Sequence, residues 1–517
     1  MGGGARMQRT PESDLRTPVL SPDCQMAASS LPVRYTKAGF CFLSRTVRFA
    51  DMASIDWNYP QHGKLWTYNL NYFEYLRQPG LETSLGVDLI DSWIAAEVTH
   101  KDGWEPYTIS LRMVNWLQFY RINGIHIPLV VERSIRRQYR SLLRKIEYHL
   151  GGNHLLENAL ALAITSRFLK DDKGQVLADR LLREELHEQY LPDGSHYERS
   201  VMYHLILLWG QLDVYSWLRE TESLMAEAEQ ANSGDSISAV MAQSLRKQLA
   251  WAQYIITPEG RYPHFNDSAP GIAPDWPAIL AYATSLGLAV DASDDDTSFV
   301  PSTYHHWSTS RWNLWIDAGY IGPDYIPGHA HADSLTFALD LDGSPFILDV
   351  GISTYEKNER RAFERSTKAH NTVTINQDQN SSQVWGGFRV GKRARTKVVA
   401  SGKDAITIEH DGFPGTTHRR AYTLDRVAES IIISDTLTGR HSSGIARLHF
   451  ASDVTPEIVG AAVSVGQARL DFTESSRLEL FTYERAVAWN ELKTAYGLAV
   501  YFTESYRCAI KLDYSRD

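Results

Sequence analysis

Four short stretches of this sequence bring amide, phenol, imidazole and guanidinium groups into close spacing. In residues 151–158, GGNHLLEN, Asn153 and His154 fall where one helical pattern ends near Leu150 and the next begins. A helix N-terminus presents free N–H groups to an anion, although an asparagine there also serves as an ordinary N-cap. In residues 193–204, Asp193 and Gly194 mark a turn, and Tyr203 follows on the next helix with His204 beside it. A tyrosine so placed is either a proton donor or a piece of core. In residues 325–337, His329 and His331 are two apart, which in a strand sends both to one face. Together with Asp349 and His370, His331 would complete a set of two imidazoles and one carboxylate, a combination suited to a divalent ion such as zinc or manganese. In residues 104–116, Arg112 and Asn115 are three apart and can share a helix face, with Tyr107 and Trp116 nearby. That group suits a carboxylated sugar and equally suits a plain polar helix face.

Two kinds of structure must carry these groups. From about residue 65 to 290, apolar residues recur every three or four positions, as in Ile109–Tyr120, Ile135–Leu150, Leu155–Phe168, Val201–Arg219 and Ala239–Ile256. Successive amphipathic helices without intervening strands predict a toroid or solenoid of paired helices. Near residue 300 the pattern becomes alternating, in Trp312–Ile316, Ser334–Asp340, Phe346–Asp349, Asn371–Ile375, Ala405–His410, Ile431–Asp435, Arg447–Ala451 and Gly497–Thr503. These runs predict an antiparallel β-sandwich. The expected division is an entry segment at 1–45, a helical domain at 46–295 and a β domain at 296–517.

Bulk properties narrow the classes. A net charge of -10 with no dense Lys/Arg block weighs against a nucleic-acid partner, though a local cationic cleft remains compatible with a polyanion. Cys24, Cys41 and Cys508 form neither a disulfide framework nor a zinc motif. No apolar run reaches membrane-spanning length, so no membrane partner is expected.

Taken together, the chemical strings resemble the heparinase II/III-like superfamily of polysaccharide lyases. The resemblance is carried by Asn153-His154-Leu-Leu-Glu157, by Ser200-Val-Met-Tyr203-His204 and by Gly328-His329-Ala-His331-Ala-Asp333-Ser-Leu-Thr-Phe. Arg365-Ser-Thr-Lys-Ala-His370-Asn-Thr-Val and Val384-Trp385-Gly-Gly-Phe-Arg389-Val-Gly extend it, so that it runs from Trp66 to Gly391. It implies an incomplete (α/α) toroid followed by an antiparallel β-sandwich, with a cleft between them. It also implies β-elimination on an acidic polysaccharide of glycosaminoglycan or alginate type, leaving a C4–C5 unsaturated uronate. Under it, Asn153 neutralises the uronate carboxylate, His154 is a base or second neutraliser, and Tyr203 is the general acid and often the base as well. His329 is the active-site histidine of the sandwich, and His331, Asp349 and His370 hold one structural divalent ion, zinc or manganese. Tyr107, Arg112, Asn115, Trp116, Glu157, His204, Trp385 and Arg389 are expected along the sugar. Where family members often carry proline after the serine, this chain has Val201.

The chemistry agrees with such roles. Removing the C5 proton of a uronate creates a dianionic, enolate-like intermediate that needs hydrogen-bond donors, and the leaving oxygen needs a proton. A phenol starts protonated, with an ordinary pKa of about 10, and a nearby cationic histidine is expected to lower it. A C5-epimerase on the same scaffold would use similar groups. A glycoside hydrolase would need paired carboxylic acids, for which Glu157, Glu198 and Asp267 are available. A non-catalytic carbohydrate-binding protein would have no use for Tyr203, His154 and His329 together. The first thirty residues show no hydrophobic signal region, which reads as cytoplasmic by default, whereas polymer substrates lie in the periplasm or outside the cell.

Overall fold

The computed structural model describes residues 34–229, 236–288, 303–376, 378–385 and 387–512, excluding the side chains of 222–229. The helical part contains α1 (Lys64–Tyr72), α2 (Thr83–Ala95), α3 (Pro106–Ile122), α4 (Leu129–Arg144), α5 (Gly152–Leu169), α6 (Asp172–Gln189), α7 (Val201–Glu229), α8 (Ile237–Ile255) and α9 (Trp276–Ser285). They form two concentric layers. In the inner layer α3 packs on α5 and α5 on α7. Helices α3 and α5 are buried on nearly every side, from Thr108 to Arg121 and from Leu155 to Ser166. The outer helices bury one face only; α4 turns Val131, Ile135, Gln138 and Leu142 inward.

Local signals set the starts of the helices that reach the site. Pro106 occupies the first turn of α3, where its missing N–H costs nothing. Gly151 and Gly152 open α5 with φ of 56° and 54°, a region costly to residues with a Cβ. A Cβ on Gly152 would also strike the Glu198 carboxylate. The pattern that predicted a helix to Leu150 is cut at Arg144. The following turn lets the Glu147 N–H donate to Asn158 Oδ1 at 2.9 Å while its carboxylate accepts from Asn158 Nδ2 at 3.0 Å.

Part of the expected entry segment is built into the helical domain. Strands β1 (Tyr35–Thr36), β2 (Gly39–Phe42) and β3 (Arg45–Val47) form a small sheet that buries Phe40 and Phe42 in the helical core. The expected boundary at 295/296 lies outside the described residues, between the end of α9 and the first strand at Tyr304.

The β domain is antiparallel throughout. One sheet runs β4 (Tyr304–Ser308), β5 (Trp312–Asp317), β6 (Phe337–Leu341), β7 (Ser344–Ile347). A second has the order β19 (Arg477–Ala488), β20 (Glu491–Phe502), β15 (Gly444–His449), β8 (Val373–Ile375). Strands β9 (Val384–Trp385) and β10 (Arg389–Val390) pair in a short ribbon. The largest sheet contains β11 (Thr396–Ser401), β12 (Ala405–Phe413), β13 (Thr416–Asp425), β14 (Ser430–Gly439) and β21 (Ser505–Leu512), continued by β18 (Ala468–Thr473), β17 (Ala462–Val465) and β16 (Pro456–Val459). Alternate residues face the core, among them Ile406, Ile408, Tyr422, Leu424, Ile431 and Ile433.

The same inward rows carry charge. Arg420 pairs with Asp435 through two contacts of 2.7 and 2.8 Å, and Asp435 also meets His418 at 2.5 Å, all fully buried. Burial alone would raise the Asp435 carboxyl, but Arg420 and His418 outweigh it and hold the group well below the usual carboxylate range. That contribution to stability is present above the unfolded carboxylate pKa of about 4 and is lost as pH falls. Asp435→Ala strands the Arg420 charge in the core and is expected to cost about 3–5 kcal/mol, read as a lower midpoint in urea unfolding at pH 7.

Candidate active site

A cavity of about 900 Å³ opens between the toroid and the sandwich. The helical wall contributes Tyr107 and Asn115 from α3, Asn153, His154 and Glu157 from α5, and Tyr203 from α7. The opposite wall contributes His329, Tyr355, Trp385, Phe388 and Arg389. Asn153 and Tyr203 each lie in the first turn of a helix, so the helix starts aim them at the same place. On the other wall, Arg365 reaches back to the Ala330 carbonyl at 2.7 Å and the Gly387 carbonyl at 2.5 Å. That grip holds the rim segment with Trp385 and Arg389, both exposed, against the loop with His329.

The side chains converge. Asn153 Nδ2 donates to Glu198 Oε2 at 3.0 Å and lies 3.2 Å from His329 Nε2. The rings of Tyr203 and His329 have centroids 4.0 Å apart at 33°, and the Tyr203 and Tyr355 hydroxyls are 3.1 Å apart. His154 rests 4.5 Å from the Tyr107 ring, with Nδ1 3.1 Å from Glu147 Oε1. Behind His329, its Nδ1 is 3.0 Å from Asp267 Oδ2.

Burial pushes the Tyr203 phenol above its ordinary value, and Asp267 and Glu198 add to the rise against the Tyr355 hydrogen bond and Arg361. The expected lowering by a cationic histidine is therefore not what this environment produces, and the phenol is held protonated. Burial, with Glu74 and Asp213 nearby, pushes the Glu157 carboxyl up to about 8, so it is largely neutral at pH 7.

Three of the residues expected along the sugar lie elsewhere. Arg112 is fully buried; it donates to Gln138 Oε1, the Asn71 carbonyl and the Gly103 carbonyl, and stacks 4.0 Å over Trp93. Trp116 packs edge-on against Phe73 and Trp93 in the core. His204 points away from the cavity into Trp251, with Nε2 3.2 Å from the Gln248 carbonyl. Asn115 does line the cavity, though its amide is spent on the Tyr72 carbonyl at 2.9 Å. The helical spacing was right for one face, but inner helices bury the opposite face as well.

The supposed metal ligands need a similar correction. The cluster whose donor atoms lie within 4.8 Å of one another is Asp333, Asp349 and His370. His331 falls outside that group; its Nε2 lies 2.8 Å from Asp267 Oδ1, and its Nδ1 is buried without a partner. None of the three sits within a strand: residues 329–336 form an irregular loop into β6, Asp349 follows β7, and His370 precedes β8. The buried Nε2 of His370 and Oδ2 of Asp333 have no hydrogen-bond partner, and His370 Nδ1 is fixed by Asp349 Oδ2 at 2.9 Å. Two orphaned acceptors beside a second carboxylate fit a divalent cation.

Glu198, Asp267, Tyr355 and Arg361 complete the site. Glu198 and Asp267 were legible only as possible hydrolase acids. Tyr355 and Arg361 carried no sequence signal, since they follow no periodicity and come together through chain separations of 152 and 94 residues. The placement of Arg112 yields a direct check. Arg112→Ala leaves three buried acceptors without their donor and is expected to cost about 3 kcal/mol, measured as a drop in unfolding free energy.

Comparison with known proteins agrees with this architecture. Residues 42–284 match the family model of the heparinase II/III N-terminus, and residues 292–496 match that of the heparinase II/III-like C-terminal region. A heparin-sulfate lyase of Bacteroides thetaiotaomicron is 25% identical over 319 residues, 53% of this chain and 42% of that protein. The match therefore spans less than half the length of that relative. Among solved structures, heparinase III aligns with a TM-score of 0.69 at 17% identity, covering 99% of this chain and 88% of that one. A heparan sulfate lyase from Pedobacter heparinus aligns at 0.58 and 16% identity, covering 98% and 85%. These likenesses establish the fold as a helical toroid joined to a β-sandwich. With its helical half and its β half matched by the two models in the right order, the chain belongs to the heparinase II/III-like family.

Proposed function

We propose that this protein is a polysaccharide lyase that cleaves uronate-containing glycosaminoglycan by β-elimination. The observation that carries the reading is the meeting of Asn153, Tyr203 and His329: an amide 3.2 Å from an imidazole nitrogen, and a phenol ring tilted over the same imidazole with centroids 4.0 Å apart. The His329 Nε2 lone pair takes the C5 proton. The amide N–H that Asn153 had directed at that nitrogen turns to hydrogen-bond the enolate oxygen as charge builds there, without giving up its proton. The C4–O bond then breaks, and Tyr203, kept protonated by its burial, gives its proton to the leaving oxygen. After product leaves, the imidazolium gives its proton to solvent in the cavity and the phenolate takes one back from it, which restores both groups. His154, beside Tyr107, supports the carboxylate, and Trp385 and Arg389 line the approach.

The relatives' named activities, heparin-sulfate lyase and heparan sulfate lyase, support glycosaminoglycan over alginate. The lining charges support a chain with little sulfate. Arg34, Lys64, Arg77 and Arg393 are each paired with a carboxylate, of Glu74, Glu105, Asp213 and Asp324 respectively. Arg389 alone among the described lining cations has no such partner. A hydrolase reading is weakened because Asp267 is clamped by Arg361 and two histidines.

Asp333, Asp349 and His370 would hold one divalent ion, zinc or manganese, in a structural role. Bound there, the ion would tie together the loop of His329 and the segments before β8 and after β7, and its charge would neutralise the two buried carboxylates.

Purified protein incubated with unsulfated and sulfated uronate polymers is expected to give the ultraviolet absorbance of a C4–C5 double bond, fastest on the least sulfated chains. Tyr203→Phe is expected to retain the melting temperature and lose at least about a hundredfold in kcat. New reducing ends without absorbance would mean hydrolysis, and inverted uronate without chain scission would mean epimerisation; either outcome sinks the lyase reading. For the metal, elemental analysis is expected to find one ion per chain, and chelation to lower the melting temperature. Metal-free protein with unchanged melting would remove the ion from the account.

A further inference from the structure

Asp267 lies between α8 and α9, fully buried, and the four hydrogen-bond partners of its carboxylate are all nitrogens. Oδ1 accepts from His331 Nε2 at 2.8 Å and Arg361 Nη1 at 2.5 Å. Oδ2 accepts from His329 Nδ1 at 3.0 Å and Arg361 Nη2 at 2.7 Å. An ionised carboxylate can only accept, so the His329 hydrogen must be on Nδ1. The other nitrogen is equally constrained. Asn153 Nδ2 spends one hydrogen on Glu198 Oε2, an acceptor, and directs the other at His329 Nε2. The amide orientation that satisfies Glu198 therefore requires a lone pair on Nε2.

The charge balance makes this arrangement useful. A bare carboxylate behind an imidazole favours the imidazolium, which cannot accept a proton. Arg361 from α10 (Glu359–Glu364) supplies a full opposite charge through two hydrogen bonds, so the Asp267–Arg361 pair is neutral as a unit. The backbone adds precision: the Asp267 N–H donates to the His329 carbonyl at 3.2 Å, and the His331 N–H donates to Asn266 Oδ1 at 2.9 Å.

We infer that Asp267 is a positioning residue for the proposed elimination, holding His329 as the Nδ1–H tautomer with its Nε2 lone pair toward Asn153 and the cavity, while Arg361 holds Asp267 ionised. The inference rests on the reading of His329 as the proton acceptor. A purely structural role for the pair would affect stability and leave the tautomer and turnover alone.

The test uses the full chain with ¹⁵N-labelled histidine, in wild type and in Asp267→Asn combined with Arg361→Gln. The double variant avoids stranding the Arg361 charge, which Asp267→Asn alone would do. His329 is assigned among the 18 histidines by the signals lost in His329→Asn. Wild type is expected to show a protonated Nδ1 and an unprotonated Nε2 at neutral pH, and the double variant to shift population toward Nε2–H. On the best uronate polymer, kcat of the double variant is expected to fall at least about a hundredfold with KM within about threefold. Wild-type His329 protonated on Nε2 overturns the inference, whether or not the double variant folds. So does a folded double variant with unchanged tautomer and kcat. If wild type shows the expected tautomer but no elimination on any polymer, the geometric inference stands and the lyase reading is what fails.

Discussion

The site depends on one buried negative charge. Removing the Asp267 carboxylate from water costs several kcal/mol unless it is paired and fully hydrogen-bonded, and here four nitrogen donors meet its two oxygens. Those donors come from the sandwich side, whereas Asp267 belongs to the helical side between α8 and α9. The same interaction that neutralises the charge thus sets one domain against the other. It does so at the place where Asn153 and Tyr203 from the toroid must find His329 from the sandwich. A weaker or mobile junction would leave the amide, phenol and imidazole too loosely spaced to share a proton path.

From that junction the division of labour follows. The inner helices of the toroid are rigid because they are buried on nearly all sides, and they deliver side chains from their first turns. The sandwich delivers loops, which are held by buried side chains instead of by strand pairing: Arg365 grips the rim segment, and Asp333, Asp349 and His370 gather three loop positions into one cluster. The cavity that results has few unpaired cations, a neutral Glu157 on its helical wall and exposed Trp385 and Phe388 at its rim. Such a surface suits hydroxyls and sugar faces, and the proposed elimination would place a single carboxylate near Asn153.

Much of the architecture was legible because each half has its own hydrophobic period, and the change near residue 300 separates them. Asn153 and Tyr203 were legible because the glycines at 151–152 and the turn at Asp193-Gly194 announce helix starts, and family strings surround them. Arg112, Trp116 and His204 were misplaced for a physical reason. Period 3.6 assigns residues to faces, but in an inner helix both faces are buried and the pattern does not say which one meets the cavity. The two-residue spacing of His329 and His331 puts both on one face only in a strand, whereas the chain from His329 to Thr336 is irregular and Leu335 has a φ of 64°. That path turns His331 toward Asp267 and puts Asp333 beside Asp349 and His370. The Asp267–Arg361 pair joins two non-periodic segments distant in sequence, which no local pattern reports.

At the centre stands the proposal that His329 takes the C5 proton of a uronate before Tyr203 protonates the departing glycosidic oxygen. A glycosaminoglycan deuterated at C5 of its uronates tests it most directly. The account predicts a slower kcat on the deuterated chain than on the ordinary one, and an unsaturated product that has lost the C5 deuterium. Equal rates would show only that another step is slower. Cleaved product that retains deuterium at C5 would contradict the account.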